Sequence, residues 1–245
     1  MASYRRHDGR TPTQMRPVKI TPGFVSTADG SCLIEVGGTR VICTASFSAG
    51  VPNWRAGSGL GWVTAEYGML PACTGQRKSR PIGKPDSRAV EIQRLIGRAM
   101  RSVVRFGGLG ENTFHLDCDV LEADGGTRTA AITGAYVALS RAVRKRAAAG
   151  YVQHSAMQGA LAAVSVGVVH GKPVLDLDYV EDASADVDMN IAMTSTGRYV
   201  EIQGTSEGKT FDGDQLEVML RLAKRGIGQL IRLQKQALQA REKKG

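Results

Sequence analysis

Residues 124–130 read Asp-Gly-Gly-Thr-Arg-Thr-Ala and lie between a strand-like run at 113–120 and a long run of small apolar residues at 130–139. Gly125 and Gly126 let the backbone turn tightly with its amides bare, and Thr127 and Arg128 fall where a helix begins. Unsatisfied N–H groups, the positive end of a helix dipole and a guanidinium then point at one place, which suits an anion. The planar fork of Arg128 matches phosphate better than a lysine point charge would. Taken alone, an ordinary strand-to-helix loop, with Thr127 as N-cap and Arg128 solvated, accounts for the stretch slightly better.

A second set is acidic, in the segment 179–190. If the runs 173–180 and 187–194 pair as a hairpin, Asp182 lies at the first strand's exit and Asp188 on the face it shares with Asn190. Two converging carboxylates suit Mg²⁺; alternatively, one stays protonated and serves as a general acid. Glu181 and Asp186 read as ordinary polar turn residues. Asp117 and Asp119 alternate with apolar neighbours on one strand, either as supporting groups or as one polar face.

The third set is basic: Arg77, Lys78, Arg80, Lys84 and Arg88, with Pro81 and Pro85 keeping the chain extended. Residues 70–86 are expected to form an exposed basic loop. Arg88 differs from the others because it stands at the start of a helix, from which it could meet a phosphate held elsewhere.

These residues must be carried by a framework that the hydrophobic pattern outlines. Residues 31–36 and 39–47 flank Gly37 and Gly38 as a hairpin, and the stretch 59–67 is a further strand candidate. Over 88–106, Ile92, Leu95, Ile96, Ala99 and Val103 recur at helical spacing, while Arg94, Arg98, Arg101 and Arg105 form a basic stripe. A strand at 113–120, a helix at about 129–145, strands at 161–169, 173–180, 187–194 and 198–205, and a helix from about 214 to 239 complete the pattern. Runs of strands interrupted by a few helices give an α+β fold. Gly-Gly-Thr-Arg occurs at 37–40 and again at 125–128, a four-residue match short enough for chance. Residues 240–245 read as a flexible basic tail.

The chain has 245 residues, 42% hydrophobic and 22% charged, and is expected to form a single folded domain over 1–245. Thirty-two Lys and Arg against 23 Asp and Glu leave a formal charge of +9, which favours a polyanionic partner, nucleic acid first. With aromatics at 5%, contacts to a nucleic-acid backbone should dominate over base stacking. Cys32, Cys43, Cys73 and Cys118 show neither zinc-site nor dithiol spacing and are expected reduced. No apolar leader or membrane-length run is evident, so a soluble, cytoplasmic protein without a membrane partner is expected.

The ordered set EIQRLIGR (91–98), LDCDVLEADGGTRTAAITGA (116–135), DLDYVEDASADVDMN (176–190) and VEIQGTSEG (200–208), with RRHDGRTPTQMRP near the N-terminus, resembles the ribonuclease PH family. The resemblance covers nearly the whole chain. It implies two βαβ-like lobes of the ribosomal protein S5 domain 2 type, with mixed sheets and packed helices, assembled as a homohexamer made of three dimers. It implies phosphorolysis of RNA 3′ ends, tRNA precursors above all and other structured RNA such as rRNA. Inorganic phosphate is the co-substrate, nucleoside diphosphates are released, and the reverse reaction adds nucleotides. Carried over by motif, the phosphate-binding residues are Arg88, Gly126, Thr127 and Arg128, and the active-site aspartates are Asp182 and Asp188, which anchor Mg²⁺ or protonate the leaving oxygen. Arg77 and Arg80 would grip RNA at the entry. The related polynucleotide phosphorylases carry lysine where this chain has Asn190, a departure that favours the tRNA enzyme. Two rivals are an RNA-binding subunit without catalysis, against which the intact arginines and aspartates speak, and a small-molecule phosphotransfer protein, against which the missing P-loop speaks.

Overall fold

The computed structural model describes residues 5–80, 83 and 86–239. Lys84, Pro81 and Pro85 of the expected loop, and the expected tail at 240–245, lie outside the described residues. The chain runs β1 (Val18–Pro22), β2 (Gly30–Val36), β3 (Thr39–Ala49), β4 (Trp62–Met69), α1 (Ser87–Arg101), α2 (Phe106–Leu109), β5 (Asn112–Glu122), α3 (Thr127–Ala148), β6 (Leu161–Val169), β7 (Lys172–Leu175), α4 (Tyr179–Asp182), β8 (Val187–Thr194), β9 (Tyr199–Ser206) and α5 (Gly213–Gln239). It is an α+β architecture of two sheets, ordered β1-β2-β3-β5-β4 and β7-β6-β8-β9.

Alternation places the apolar residues of β2 and β3 on one face of the first sheet, whereas β6, in the second, is buried on both faces, between α3 and α5. The β2–β3 hairpin pairs Val36 with Thr39 across the two glycines, the spacing the sequence indicated. The crossover from β4 through α1 returns to a parallel β5, which makes the first sheet mixed, whereas the second pairs antiparallel throughout. Cys32, Cys43 and Cys118 stand side by side on β2, β3 and β5, all buried, and burial pushes the Cys32 thiol up to about 12. All four cysteines are free thiols.

The helix α3 is apolar nearly all round because it lies between the layers, against β2 and β3 on one side and β6 on the other. Small residues make that approach possible. A Cβ at Gly134 would meet Cys43 Sγ at 2.7 Å and Ile34 Cγ2 at 2.8 Å. In α1 the buried face is Ile92, Leu95, Ile96 and Ala99, as the spacing predicts, but the helix ends at Arg101 rather than reaching 106. The basic stripe therefore divides: Arg94 and Arg98 stay exposed, while Arg101 lies over the Trp62 ring at 4.6 Å and donates to Val63 O at 3.0 Å. Arg105, beyond the helix, donates to Gln153. Met219, Leu222, Ala223 and Ile227 of α5 close the second core.

One expectation fails here. The run 173–180 is not a strand that pairs with 187–194: β7 stops at Leu175, and β6 lies between β7 and β8. Asp176 turns the backbone out of the sheet at φ +58°, and Asp178 then starts α4 through a capping box with Glu181. The two Gly-Gly-Thr-Arg stretches are not equivalent either, since one is a hairpin turn and the other opens a helix.

Candidate active site

Gly126 is the N-cap of α3 in the left-handed conformation (φ +68°), and no side chain caps the helix. The first amides of α3 are thus left for a ligand. Thr127 is the first helical residue, not the cap; its Oγ1 accepts from Tyr67 OH at 2.9 Å, and both residues are buried. Arg128 is not solvated: its Nη1 donates to Gln203 at 2.8 Å, and the side chain is mostly covered. The loop is fixed from below by the earlier Thr39, whose Oγ1 donates to Gly125 O at 2.7 Å and accepts from Asp124 N at 2.9 Å. Gly125, at φ +73°, sits so close to α4 that a Cβ would meet the Asp178 backbone carbon at 2.6 Å.

This closeness joins the phosphate-type loop to the acidic segment, and an N-terminal arm locks the junction. Arg6, Arg10 and Arg16 are all buried. Arg6 pairs with Glu181 through both carboxylate oxygens and donates to Leu175 O and Asp176 O. Arg10 reaches Asp178 at 3.1 Å and Glu181 at 3.3 Å. Arg16 holds Asp176 at 2.7 Å and donates to the carbonyls of Asp124 and Leu177. Glu181 is therefore not the polar turn residue expected but a buried partner in this clamp. Burial works against the charge on Asp178, yet the Glu181 N–H, His7 and Arg10 outweigh it and hold that carboxyl below its usual range. His7, Asp178 and Glu181 each bring a ligand atom within 4.8 Å of the others, but both carboxylates are bonded to arginines and serve the clamp.

With α4 so placed, Asp182 at its end and Asp188 at the start of β8 come together, although not by the hairpin expected. Burial raises the Asp182 carboxyl, and the charges of Arg88 and Arg128 oppose that rise. Asp188 is pushed up to about 6, first by burial and then by the charge of Asp182, with Arg128 opposing. Asn190 shares the face of Asp188, as alternation predicts, and its Nδ2 donates to Asp188 Oδ2 at 3.4 Å. Asp188 Oδ1 is buried with no partner among the described residues. An orphaned carboxylate oxygen beside a second carboxylate fits Mg²⁺, a hard cation that takes oxygen ligands.

Arg88 stands in the first turn of α1, where Asp86 caps the helix by accepting from the Arg88 amide at 3.0 Å. Its charge acts on both Asp182 and Tyr67, so it faces the same space as Arg128. All six residues expected at the centre, Arg88, Gly126, Thr127, Arg128, Asp182 and Asp188, thus border one region. Arg77 and Arg80 are exposed on the preceding loop, and Arg80 acts on Asp119, whose carboxyl burial raises. Sequence reasoning missed Tyr67, Glu91, Gln203 and Glu207. The first three bond to Thr127 or Arg128, and the charge of Glu207 raises both aspartates. Glu91, Gln203 and Glu207 do lie inside the quoted motifs, which was the available signal.

Models of the 3′ exoribonuclease family match the chain twice, domain 1 over residues 14–145 and domain 2 over 159–226. The chain belongs to the 3′ exoribonuclease family. Within it, the chain is 55% identical over 238 residues to Ribonuclease PH of Corynebacterium efficiens, covering 96% of this chain and 97% of that relative. Its fold matches the Archaeoglobus fulgidus exosome with RNA bound to the active site (TM-score 0.79, 22% identity, 92% of this chain and 91% of that one). It also matches an archaeal exosome core (TM-score 0.77, 21% identity, 94% and 91%). The family's domain boundary falls between α3 and β6, so the loop that opens α3 and the carboxylates on α4 and β8 come from different halves. Among the described residues no helix is long and apolar enough to cross a membrane.

Proposed function

We propose that this chain is a phosphorolytic 3′-to-5′ exoribonuclease that trims tRNA precursors and other structured RNA, releasing nucleoside diphosphates. One observation carries the reading: an uncapped helix N-terminus flanked by Arg88 and Arg128 faces a pair of carboxylates, one with an orphaned oxygen. The α3 amides, the Thr127 hydroxyl and the two guanidiniums would hold inorganic phosphate and spread the charge on its oxygens as it attacks. A phosphate oxygen bonds to the terminal phosphorus, the bond from that phosphorus to the preceding 3′ oxygen breaks, and that oxygen takes a proton. Water could attack in the same geometry, but a dedicated anion site makes phosphate the nucleophile. Asp182 and Asp188 would hold Mg²⁺, which supplies neutralisation of the phosphate charge. Without the ion, the raised Asp188 carboxyl retains a proton that it can donate near pH 6.

The finer reading is a cytoplasmic homohexamer, a trimer of dimers, with Arg77 and Arg80 of each copy gripping RNA through its phosphates. The test is product analysis on RNA with and without phosphate. Diphosphates that appear only with phosphate are expected, and Arg88→Ala or Arg128→Ala should lower the rate about 10²–10³-fold while RNA binding persists. Monophosphates released in phosphate-free buffer would refute the reading.

A further inference from the structure

The bonds around Arg128 reach beyond the phosphate loop. Its Nη1 donates to Gln203 Oε1 at 2.8 Å and, more weakly, to Glu91 Oε1 at 3.4 Å. Gln203 Nε2 donates to that same Glu91 oxygen at 2.9 Å, which closes a ring of three side chains. The three come from α3, β9 and α1. Gln203 has one workable orientation here, because a flipped amide would set N–H against the guanidinium and a carbonyl against the carboxylate. Glu91 thus decides which end of the amide Arg128 meets. Among the described residues the hydrogen bonds of Arg128 leave from Nη1, so Nε and Nη2 are the donors left for an anion.

The β8–β9 register adds a second link. Gln203 stands opposite Asn190, and Asn190 bonds Asp188. One strand pair therefore sets both the arginine on the phosphate side and the carboxylate on the opposite side.

We propose that Gln203, held by Glu91, is a positioning residue for phosphorolysis that aims the Arg128 guanidinium at the phosphate; this rests on the reading of Arg128 as a phosphate ligand. An arginine side chain free to sample its rotamers must be ordered by the anion itself, which weakens binding; one already held presents its fork at no such cost. The competing account is a clasp that merely ties α1 to β9, like the neighbouring Arg98–Glu201 pair at 3.4 Å. The two accounts differ in what they move. A clasp affects stability, whereas an aimed guanidinium affects the phosphate and not the RNA.

The experiment measures KM for phosphate, KM for RNA, kcat and melting temperature in wild type, Gln203→Leu, Arg128→Lys, the combination of these two, and the exchange Glu91→Gln with Gln203→Glu. Gln203→Leu should raise the phosphate KM about tenfold and leave the RNA KM and melting temperature near wild type. The exchange keeps the net charge, an acceptor for Arg128 and a donor beside it, so it should restore the phosphate KM to within about threefold of wild type. In the Arg128→Lys background, Gln203→Leu should add less than about twofold, since no fork remains to aim. A lowered melting temperature with an unchanged phosphate KM would establish the clasp instead. A full tenfold effect in the Arg128→Lys background would show that Gln203 does not act through Arg128. If Arg128→Lys itself left the phosphate KM unchanged, the assignment of Arg128 would fall and this proposal with it; if only the Gln203 variants were silent, the phosphate site would stand without the positioning role.

Discussion

Asp188 is the residue at which the chemistry opposes the fold. Its carboxyl is pushed up to about 6 by burial and by Asp182, so the native state binds its proton more tightly than the unfolded chain does, and ionising it costs stability. The cost is absent near pH 4, grows as pH rises through about 6, and is complete above that. Asp188→Asn removes it. The variant should be more stable than wild type at pH 7.5 by about 1–2 kcal/mol, after allowance for solvent screening of a partly exposed carboxyl, and should keep only about a third of that advantage near pH 4.5. Paired melting curves at the two pH values check this, since carboxylates other than the neighbouring Asp182 titrate alike in both proteins and cancel. A constant difference, or none, would mean that Asp188 is not held at a raised pKa. At this scale the sequence was informative where motif and chemistry coincide, as at Arg88, Thr127, Arg128 and the two aspartates. Tyr67 and Gln203 escaped because their partners lie 60 and 75 positions away. No local pattern records a hydrogen bond of that span.

Among the elements, the contact between the loop before α3 and the start of α4 decides whether the two halves of the site meet. Gly125 and Gly150 separate the two reasons for a glycine. Both have positive φ, +73° and +80°, but a Cβ on Gly125 would strike the Asp178 backbone while one on Gly150 meets nothing within 4 Å. Gly150→Ala should therefore cost only the backbone strain, about 1 kcal/mol, and leave activity intact. Gly125→Ala should cost more, about 2–4 kcal/mol, and lower the rate by shifting Asp182 away from the arginines. Denaturant unfolding of both, with rates measured where each is fully folded, distinguishes these outcomes; equal costs would show that α4 yields freely. The hairpin β2–β3, the helices and most strands were legible because each follows from local periodicity and turn chemistry. The pairing of β7 was not, because register and strand order depend on β6 inserting between β7 and β8. The capping box Asp178–Glu181 was the local sign that the run ended in a helix, and three basic residues in the arm were the missing partners for its acids.

For the molecule as a whole, the net charge of +9 needs a location, and the loop before α1 offers one. Arg77, Lys78 and Arg80 are exposed there, while buried Cys73 ties the loop to the body through Ala123 N at 2.8 Å. The same loop leads in sequence to the helix turn that carries Arg88, so the residues proposed to grip RNA and the one proposed to meet phosphate share one short stretch of chain. If Arg77 and Arg80 hold RNA by its phosphates, replacing both with Gln should weaken binding of a tRNA with a 3′ extension. Because fewer counterions are released, the slope of log affinity against log salt should shrink by on the order of 1–2. Turnover of a substrate of two or three nucleotides, too short to reach the loop, should remain near wild type. Arg80 adds a complication that the short substrate resolves, since its charge also acts on Asp119 of β5. A variant that loses activity equally on the long and the short substrate has lost a contact that shapes the site or the assembly, and Arg77 and Arg80 would then belong to the framework rather than to the grip on RNA.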